Sequence, residues 1–258
     1  TKLGLCYYYR KGVVQSYEKA AYWFQKAAEQ GYAEAQSKLG VCYHKGQGVK
    51  QSDEQAVLWF QKAADQDFAE AQSFLGYCYY KGLGVAQSDS DAVLWYEKAA
   101  NQGDVEAQRN LGSYYFKGQG IPQSYTKAIF WFEKAANQGD AIAQNSVGFA
   151  YENGEGVAQS YEKAFEWYLK AANQGDADAQ NSVGSAYEDG EGVEVDPTKA
   201  EEWYLKAAKQ GNTRAQFLLG LYYITKIEIE KALIWFEKAC KAGDQSACER
   251  YETWKEKK

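Results

Sequence analysis

Reactive side chains cluster first in the segment LGVCYHKGQGV, residues 39–49. It places the only histidine of the chain, His44, two residues after Cys42 and just before a glycine-rich loop. Such a neighbourhood would suit a metal ion or a phosphate. A second candidate is S-x-x-K, present as Ser16–Lys19, Ser124–Lys127 and Ser160–Lys163. At that spacing a lysine assists a seryl nucleophile in penicillin-recognising enzymes. Five cysteines, Cys6, Cys42, Cys78, Cys240 and Cys248, complete the reactive set.

Most of this chemistry dissolves on repetition. The phrase returns as LGYCYYKGLGV, LGSYYFKGQGI, VGFAYENGEGV and VGSAYEDGEGV, without the histidine. His44 has no second histidine or carboxylate at ligand spacing and reads as a surface or groove residue. The GQG and GEG loops lack the G-K-[ST] ending of a phosphate loop, so helix capping accounts for them. S-x-x-K recurs where a helix N-cap belongs, and neither S-D-N nor K-T-G accompanies it. No residue set calls for a cofactor.

The positioning elements follow from the period. Gly4, Gly40, Gly76, Gly112, Gly148, Gly184 and Gly220 are spaced by 36, as are Trp23, Trp59, Trp95, Trp131, Trp167 and Trp203. Each unit holds two helical patterns. In helix A, Ala35, Leu39 and Tyr43 share one face, and Gly46 follows as a left-handed cap. In helix B, Ala56, Trp59 and Ala63 share a face after the N-cap Ser52. Ser16, Ser88, Ser124 and Ser160 hold the same place, and Asp196 with Pro197 is a cap plus a proline at the first helical position. Asp67 stands where other repeats end helix B in glycine. The period predicts helices near 16–30, 33–46, 52–66 and 69–82, with eight A and seven B helices in all. Two short helices cannot bury their apolar face alone, so the units must stack. The expectation is one all-α domain over 1–258, with a partial first repeat 1–31 and a polar capping helix at about 245–256.

Composition narrows the function. The chain has 258 residues, a net charge of −6, a pI of about 5.1 and 16% aromatics. An acidic balance argues against general nucleic-acid binding, and no apolar run approaches a membrane span. Methionine is absent and the chain opens inside its own repeated phrase. The expectation is therefore further repeats or a leader before Thr1, or self-association through an N-terminal edge of Leu3, Leu5 and Tyr7.

The pattern A-x-x-x-L-G-x-x-Y-x-x-G-x-G-V, followed by K-A-x-x-W-Y-x-K-A-A-x-Q-G, resembles the Sel-one-like repeat, a relative of the tetratricopeptide repeat. Ala143 through Gly175 matches it best. The resemblance implies a right-handed α/α superhelix of about seven repeats and a scaffold that holds other proteins. The loop missing between Tyr223 and Lys231 departs from it and brings Trp235 four residues early. The spacing of Cys240 and Cys248 resembles the helix-linking disulfide of a cysteine-rich subfamily, which is linked to weak β-lactam binding or hydrolysis. Cys6, Cys42 and Cys78 occupy one site in successive A helices and are expected to be buried free thiols. Localisation stays open.

By analogy with tetratricopeptide repeats, positions −6, −3, +1, +4 and +5 from the repeat glycine face a concave groove. The expected partner-binding set is His44, Lys45, Tyr77, Tyr80, Lys81, Arg109, Phe116 and Lys117, then Asn145, Phe149, Glu152, Glu188, Asp189 and Phe217. The series runs from aromatic and basic to acidic and then apolar. The leading expectation is a non-enzymatic scaffold gripping a peptide or protein segment. The alternatives are a β-lactam-recognising enzyme and a structural spacer or self-assembling module.

Overall fold

The computed structural model describes residues 1–256, which form fifteen α-helices and no strand. The A helices are α1 (Lys2–Tyr9), α3 (Ala33–Lys45), α5 (Ala69–Lys81), α7 (Val105–Lys117), α9 (Ala141–Asn153), α11 (Ala177–Asp189), α13 (Thr213–Thr225) and α15 (Gln245–Lys255). The B helices are α2 (Tyr17–Ala28), α4 (Asp53–Ala64), α6 (Asp89–Asn101), α8 (Tyr125–Asn137), α10 (Tyr161–Asn173), α12 (Pro197–Lys209) and α14 (Ile229–Lys241). Consecutive helices pack on one another from α1 to α7 and from α9 to α15, the pattern of an all-α solenoid. The chain divides into two compact units, Thr1–Lys134 and Ala135–Lys258, with the division inside α8.

Caps set the helix bounds. Ser16, Ser52, Ser88 and Ser160 each accept a bond from the backbone N–H three residues on. Asp196 caps α12 ahead of Pro197. Gly46 ends α3 at φ 64, and Asp67 holds φ 58 after α4. Glutamines close the A helices as well: Gln51 Nε2 donates to the His44 carbonyl at 3.0 Å and Gln123 Nε2 to that of Phe116 at 2.8 Å. These bonds satisfy carbonyls that a helix end leaves bare. The second loop glycine has a different task. At Gly48 a Cβ would collide with the Tyr17 carbonyl, so this glycine lets the loop lie on the start of the preceding B helix. The shortened seventh repeat instead puts Ile227 at φ 61, a costly conformation for a β-branched residue.

The packing unit is a ring inserted against a glycine. Phe24, Phe60, Tyr96, Phe132, Tyr168, Tyr204 and Phe236 are each at most 5% exposed. Each ring lies on the repeat glycine of the preceding A helix; a methyl at Gly40 would sit 2.6 Å from Phe60, and one at Gly184 2.6 Å from Tyr204. Five of the six tryptophans that mark the period are less deep, while Trp131 is buried. Trp23 is 39% exposed, and Trp59, Trp95, Trp167 and Trp203 are half-buried. A lysine lies over each of these last four rings, from Lys62 at 4.0 Å to Lys206 at 3.5 Å.

A polar ladder accompanies the rings. Gln36, Gln72, Gln108, Gln144, Gln180 and Gln216 are all buried. Gln36 Nε2 donates to the Ala28 carbonyl of the preceding B helix at 3.2 Å, and its Oε1 accepts from Gln66 Nε2 at the end of its own repeat's B helix at 2.8 Å, so one side chain bridges two repeats. Gln72 with Gln102, Gln144 with Gln174 and Gln180 with Gln210 repeat the link at 2.8 Å. Gln216 Oε1 alone in this series is buried without a partner, because Ala242 stands where the next glutamine would be.

Cys240 and Cys248 are joined by a disulfide with their Cα atoms 4.6 Å apart, which ties α14 to α15. Cys6, Cys42 and Cys78 are free, the last two buried.

Two stability outcomes are expected. Gly184→Ala forces a methyl into the Tyr204 ring, and overpacking of about 1–3 kcal/mol should exceed the helix propensity gained. Its thermal midpoint by circular dichroism should fall. Ala242→Gln should raise the midpoint by about 1 kcal/mol of stability, since it supplies the donor that Gln216 lacks. Ala242 has φ −83 and ψ 1, nearly the backbone of Gln210 at −84 and 0, so the new side chain starts from the required geometry.

Candidate functional site

In the first unit the ends of α3, α5 and α7 carry the expected partner-binding residues. His44 Nδ1 lies 2.7 Å from Asp53 Oδ1 at the start of α4. Its ring meets Tyr77 edge-on with centroids 6.2 Å apart. His44, Lys45 and Tyr77 line one cavity of about 370 Å³ with Ser73, Phe74, Glu70, Asp104 and Glu106. The three carboxylates already have partners. Glu70 pairs with Lys38 at 2.6 Å, Asp104 caps α7 through the Ala107 N–H at 2.8 Å, and Glu106 lies 3.9 Å from Arg109. Lys45 forms no ion pair among the described residues.

A smaller cavity of about 150 Å³ joins Tyr80 and Lys117 with Tyr96, Asn110, Ser113, Tyr114 and Gln119. Tyr80 meets Tyr114 edge-on at 6.2 Å, and Lys81 Nζ sits 4.5 Å from the Tyr80 ring centre. Phe116 is outside this group; its ring packs on Tyr125 at 5.3 Å. Arg109 also lies apart, directed to Glu106.

In the second unit Asn145, Phe149 and Glu152 lie on α9, Glu188 and Asp189 on α11, and Phe217 on α13. Glu152 accepts a hydrogen bond from the Tyr168 hydroxyl at 2.5 Å, and Glu188 one from Tyr204 at 2.6 Å. The +4 carboxylates therefore also serve the core. The sequence carries part of the signal: Glu accompanies Tyr168 and Tyr204, Tyr80 accompanies Tyr96, and His44, Phe116 and Ile224 accompany Phe60, Phe132 and Phe236. Phe217 leans on Phe236 at 5.9 Å, and Phe149 is 43% exposed. The side-chain oxygens of Asn145 and Asn181, at equivalent positions, are buried without a hydrogen bond among the described residues. Asp189 is exposed, and no described cavity gathers these six residues into one space.

The other reactive groups are committed to structure. The Ser16 oxygen accepts from the Lys19 N–H at 3.2 Å and donates to Glu18 at 3.0 Å. The ammonium groups of Lys19, Lys127 and Lys163 lie over the rings of Tyr7, Tyr115 and Tyr151, at 5.4, 5.1 and 5.1 Å. Burial pushes the Cys42 thiol up to about 11, against the pull of Lys45, and the Cys78 thiol up to about 12. Thiols so shifted stay protonated at neutral pH. Among the described residues no group of three or more His, Cys, Asp or Glu is placed to hold a metal ion. No described helix is long and apolar enough to cross a membrane.

The buried phenols make stability pH-dependent. Burial raises Tyr96, Tyr168 and Tyr204 above their ordinary 10.0, and the bonds to Glu152 and Glu188 push the last two further. A raised folded value leaves this contribution complete below about pH 10. It is lost above that, because the unfolded chain releases phenol protons that the fold retains. Urea midpoints should drop from about pH 10 upward, and Tyr168→Phe with Tyr204→Phe should flatten that drop.

The geometry has counterparts among known proteins. The Sel1 repeat model matches residues 1–32, 33–68, 69–104, 105–140, 141–176, 177–212 and 213–244. The structure is similar to c5321, a protective antigen present in uropathogenic Escherichia coli strains that displays an SLR fold. The TM-score is 0.89 at 36% identity, over 97% of this chain and 55% of that one. The chain thus spans about half the length of that protein. It is also similar to a Sel1 repeat protein from Oxalobacter formigenes, with TM-score 0.82 and 34% identity over 92% of this chain and 95% of that one. No curated protein matches the chain. Seven consecutive matched repeats and two solved relatives above 30% identity, on the ring-and-glycine stack described above, place this chain in the Sel1 repeat family.

Proposed function

We propose that this chain is a binding scaffold that seats a polypeptide segment along its A helices. Sel1 repeat proteins are generally non-catalytic scaffolds for protein interaction, which supports the class. The observation that carries the finer reading is the cavity shared by His44, Lys45 and Tyr77. It sets an aromatic edge beside an ammonium group without an ion pair, while the neighbouring acids are occupied. Aromatic anchors beside unpaired charge are typical of recognition surfaces.

The same logic extends to Tyr80, Lys81 and Lys117 in the first unit, with Phe116 and Arg109 on its border. An acidic, apolar-containing segment suits that set. In the second unit Glu152, Glu188 and Asp189 would meet a basic segment, and Phe149 and Phe217 would supply apolar contact. Asn145 offers a buried acceptor that an incoming donor would satisfy. Charge would fix orientation and speed encounter more than it deepens affinity.

The test starts from a partner captured by cross-linking in source cells and then purified. Lys81→Glu with Lys117→Glu should weaken its binding about tenfold at low salt, with the loss shrinking as salt rises. Folding should be nearly unchanged by circular dichroism, because surface changes usually cost under about 0.5 kcal/mol. A partner that binds the double variant as tightly as the parent refutes the groove assignment.

A further inference from the structure

The B helices of the first unit carry an exposed apolar row that nothing in the fold requires. Tyr22, Leu58, Leu94 and Phe130 occupy the same position on α2, α4, α6 and α8, 36 residues apart. They are 54%, 54%, 57% and 50% exposed. Each immediately precedes a period-marking tryptophan. The fold provides its own control: in α10 and α12 the same position is Glu166 and Glu202, on repeats with the same ring-and-glycine packing. Ile234 on α14 is apolar again, at 52% exposed. Apolar character here is therefore not a packing requirement, and four large side chains at least half in water, one on each successive B helix, are the kind of exposure that marks a binding surface.

A second row runs beside the first. Lys26, Lys62, Lys98 and Lys134 each follow the apolar residue by four, one helical turn along the same face. Their ammonium groups rest over aromatic rings: Lys26 over Tyr22, Lys62 over Trp59, Lys98 over Trp95 and Lys134 over Phe130. None forms an ion pair among the described residues. The acids bordering α2 and α4 are turned to their own helices. Glu18 and Glu54 accept from Ser16 and Ser52, and Glu29 and Asp65 accept from Gln25 and Gln61. Carboxylates brought by a partner would find Lys26 and Lys62 open, while on α6 and α8 Glu97 and Glu133 stand beside Lys98 and Lys134 in the chain. An extended anionic membrane would meet the net charge of −6 of the whole chain, whereas a short segment meets the lysine row alone, which favours a polypeptide occupant.

We propose that this B-helix face is a second docking surface, separate from the A-helix groove. Its occupant is a segment of another protein that presents apolar side chains bordered by carboxylates. Tyr22, Leu58, Leu94 and Phe130 supply the apolar contact, and the lysine row sets register through complementary charge.

The experiment selects random phage-displayed peptides on the whole immobilised chain, with counter-selection on Leu58→Glu/Leu94→Glu. Glutamate is what Glu166 and Glu202 already place at this position, so the variant should keep the parent's circular dichroism and melting curve. Enriched peptides should combine Asp or Glu with Leu, Phe or Trp. Their affinity by fluorescence anisotropy should fall about tenfold on Leu58→Glu/Leu94→Glu, the loss of an interface anchor. Lys62→Glu/Lys98→Glu should weaken them too, with the effect shrinking as salt rises. Lys81→Glu/Lys117→Glu should leave them unchanged, which separates this surface from the groove. The proposal is overturned if no enriched peptide depends on Leu58 and Leu94, or if those that do lack acids. It is overturned equally if the parent binds phosphatidylserine vesicles, or self-associates by light scattering, and Leu58→Glu/Leu94→Glu abolishes either behaviour.

Discussion

Everything in this fold depends on one steric fact: the A helix has no side chain where the B-helix ring must lie. At Gly76, Gly148 and Gly184 an added Cβ would meet the ring of Tyr96, Tyr168 or Tyr204 at 2.7, 2.6 and 2.6 Å. Real Cβ atoms do not approach so closely, and a dense interior leaves the ring nowhere to retreat. The contact joins two helices of the same repeat and fixes their approach. The B helix is then held close enough for its alanines, such as Ala171 and Ala207, to be fully buried. The strict 36-residue recurrence of glycine is the trace of that requirement in the sequence.

Rings fix the hairpin; glutamines link one hairpin to the next. A buried amide must be satisfied at both ends or it costs stability. Gln180 meets that demand by donating to the Ala172 carbonyl and accepting from Gln210, which belongs to the following B helix. The link is directional, so it specifies register as well as contact. Where the series ends, at Gln216 on α13, a buried oxygen is left over, and the disulfide of Cys240 and Cys248 ties the next pair, α14 and α15, by covalent means.

The period, the caps and the helix pairs were legible because each leaves a local residue type at a fixed spacing. Ser52, Gly46 and Asp67 announce their backbone geometry directly. Depth was not legible. Trp59 and Phe60 are adjacent and both recur, yet only Phe60 is buried, and Trp59 shares its ring with Lys62. Recurrence reports that a position matters and not how far in it lies. The role of the second loop glycine was hidden too, since Gly48 answers to Tyr17, a residue of the preceding repeat. At the site, the sequence separated varying from constant positions but could not tell variation set by the core from variation set by a partner. Glu152 and Glu188 belong partly to the first kind, through Tyr168 and Tyr204.

That distinction gives a rule for reading function in a repeat array. A varying position carries information about a partner only after its covariation with the core has been removed. Glu152 loses much of its weight by this test, because a buried hydroxyl accounts for an acceptor there. Lys45, Lys81 and Lys117 keep theirs: no buried group needs them, and no carboxylate pairs with them among the described residues. Leu58 and Leu94 keep theirs for the opposite reason, since glutamate occupies that position in other repeats and both leucines are more than half exposed. Binding specificity in such a chain resides in the residues that the stack neither buries nor pairs.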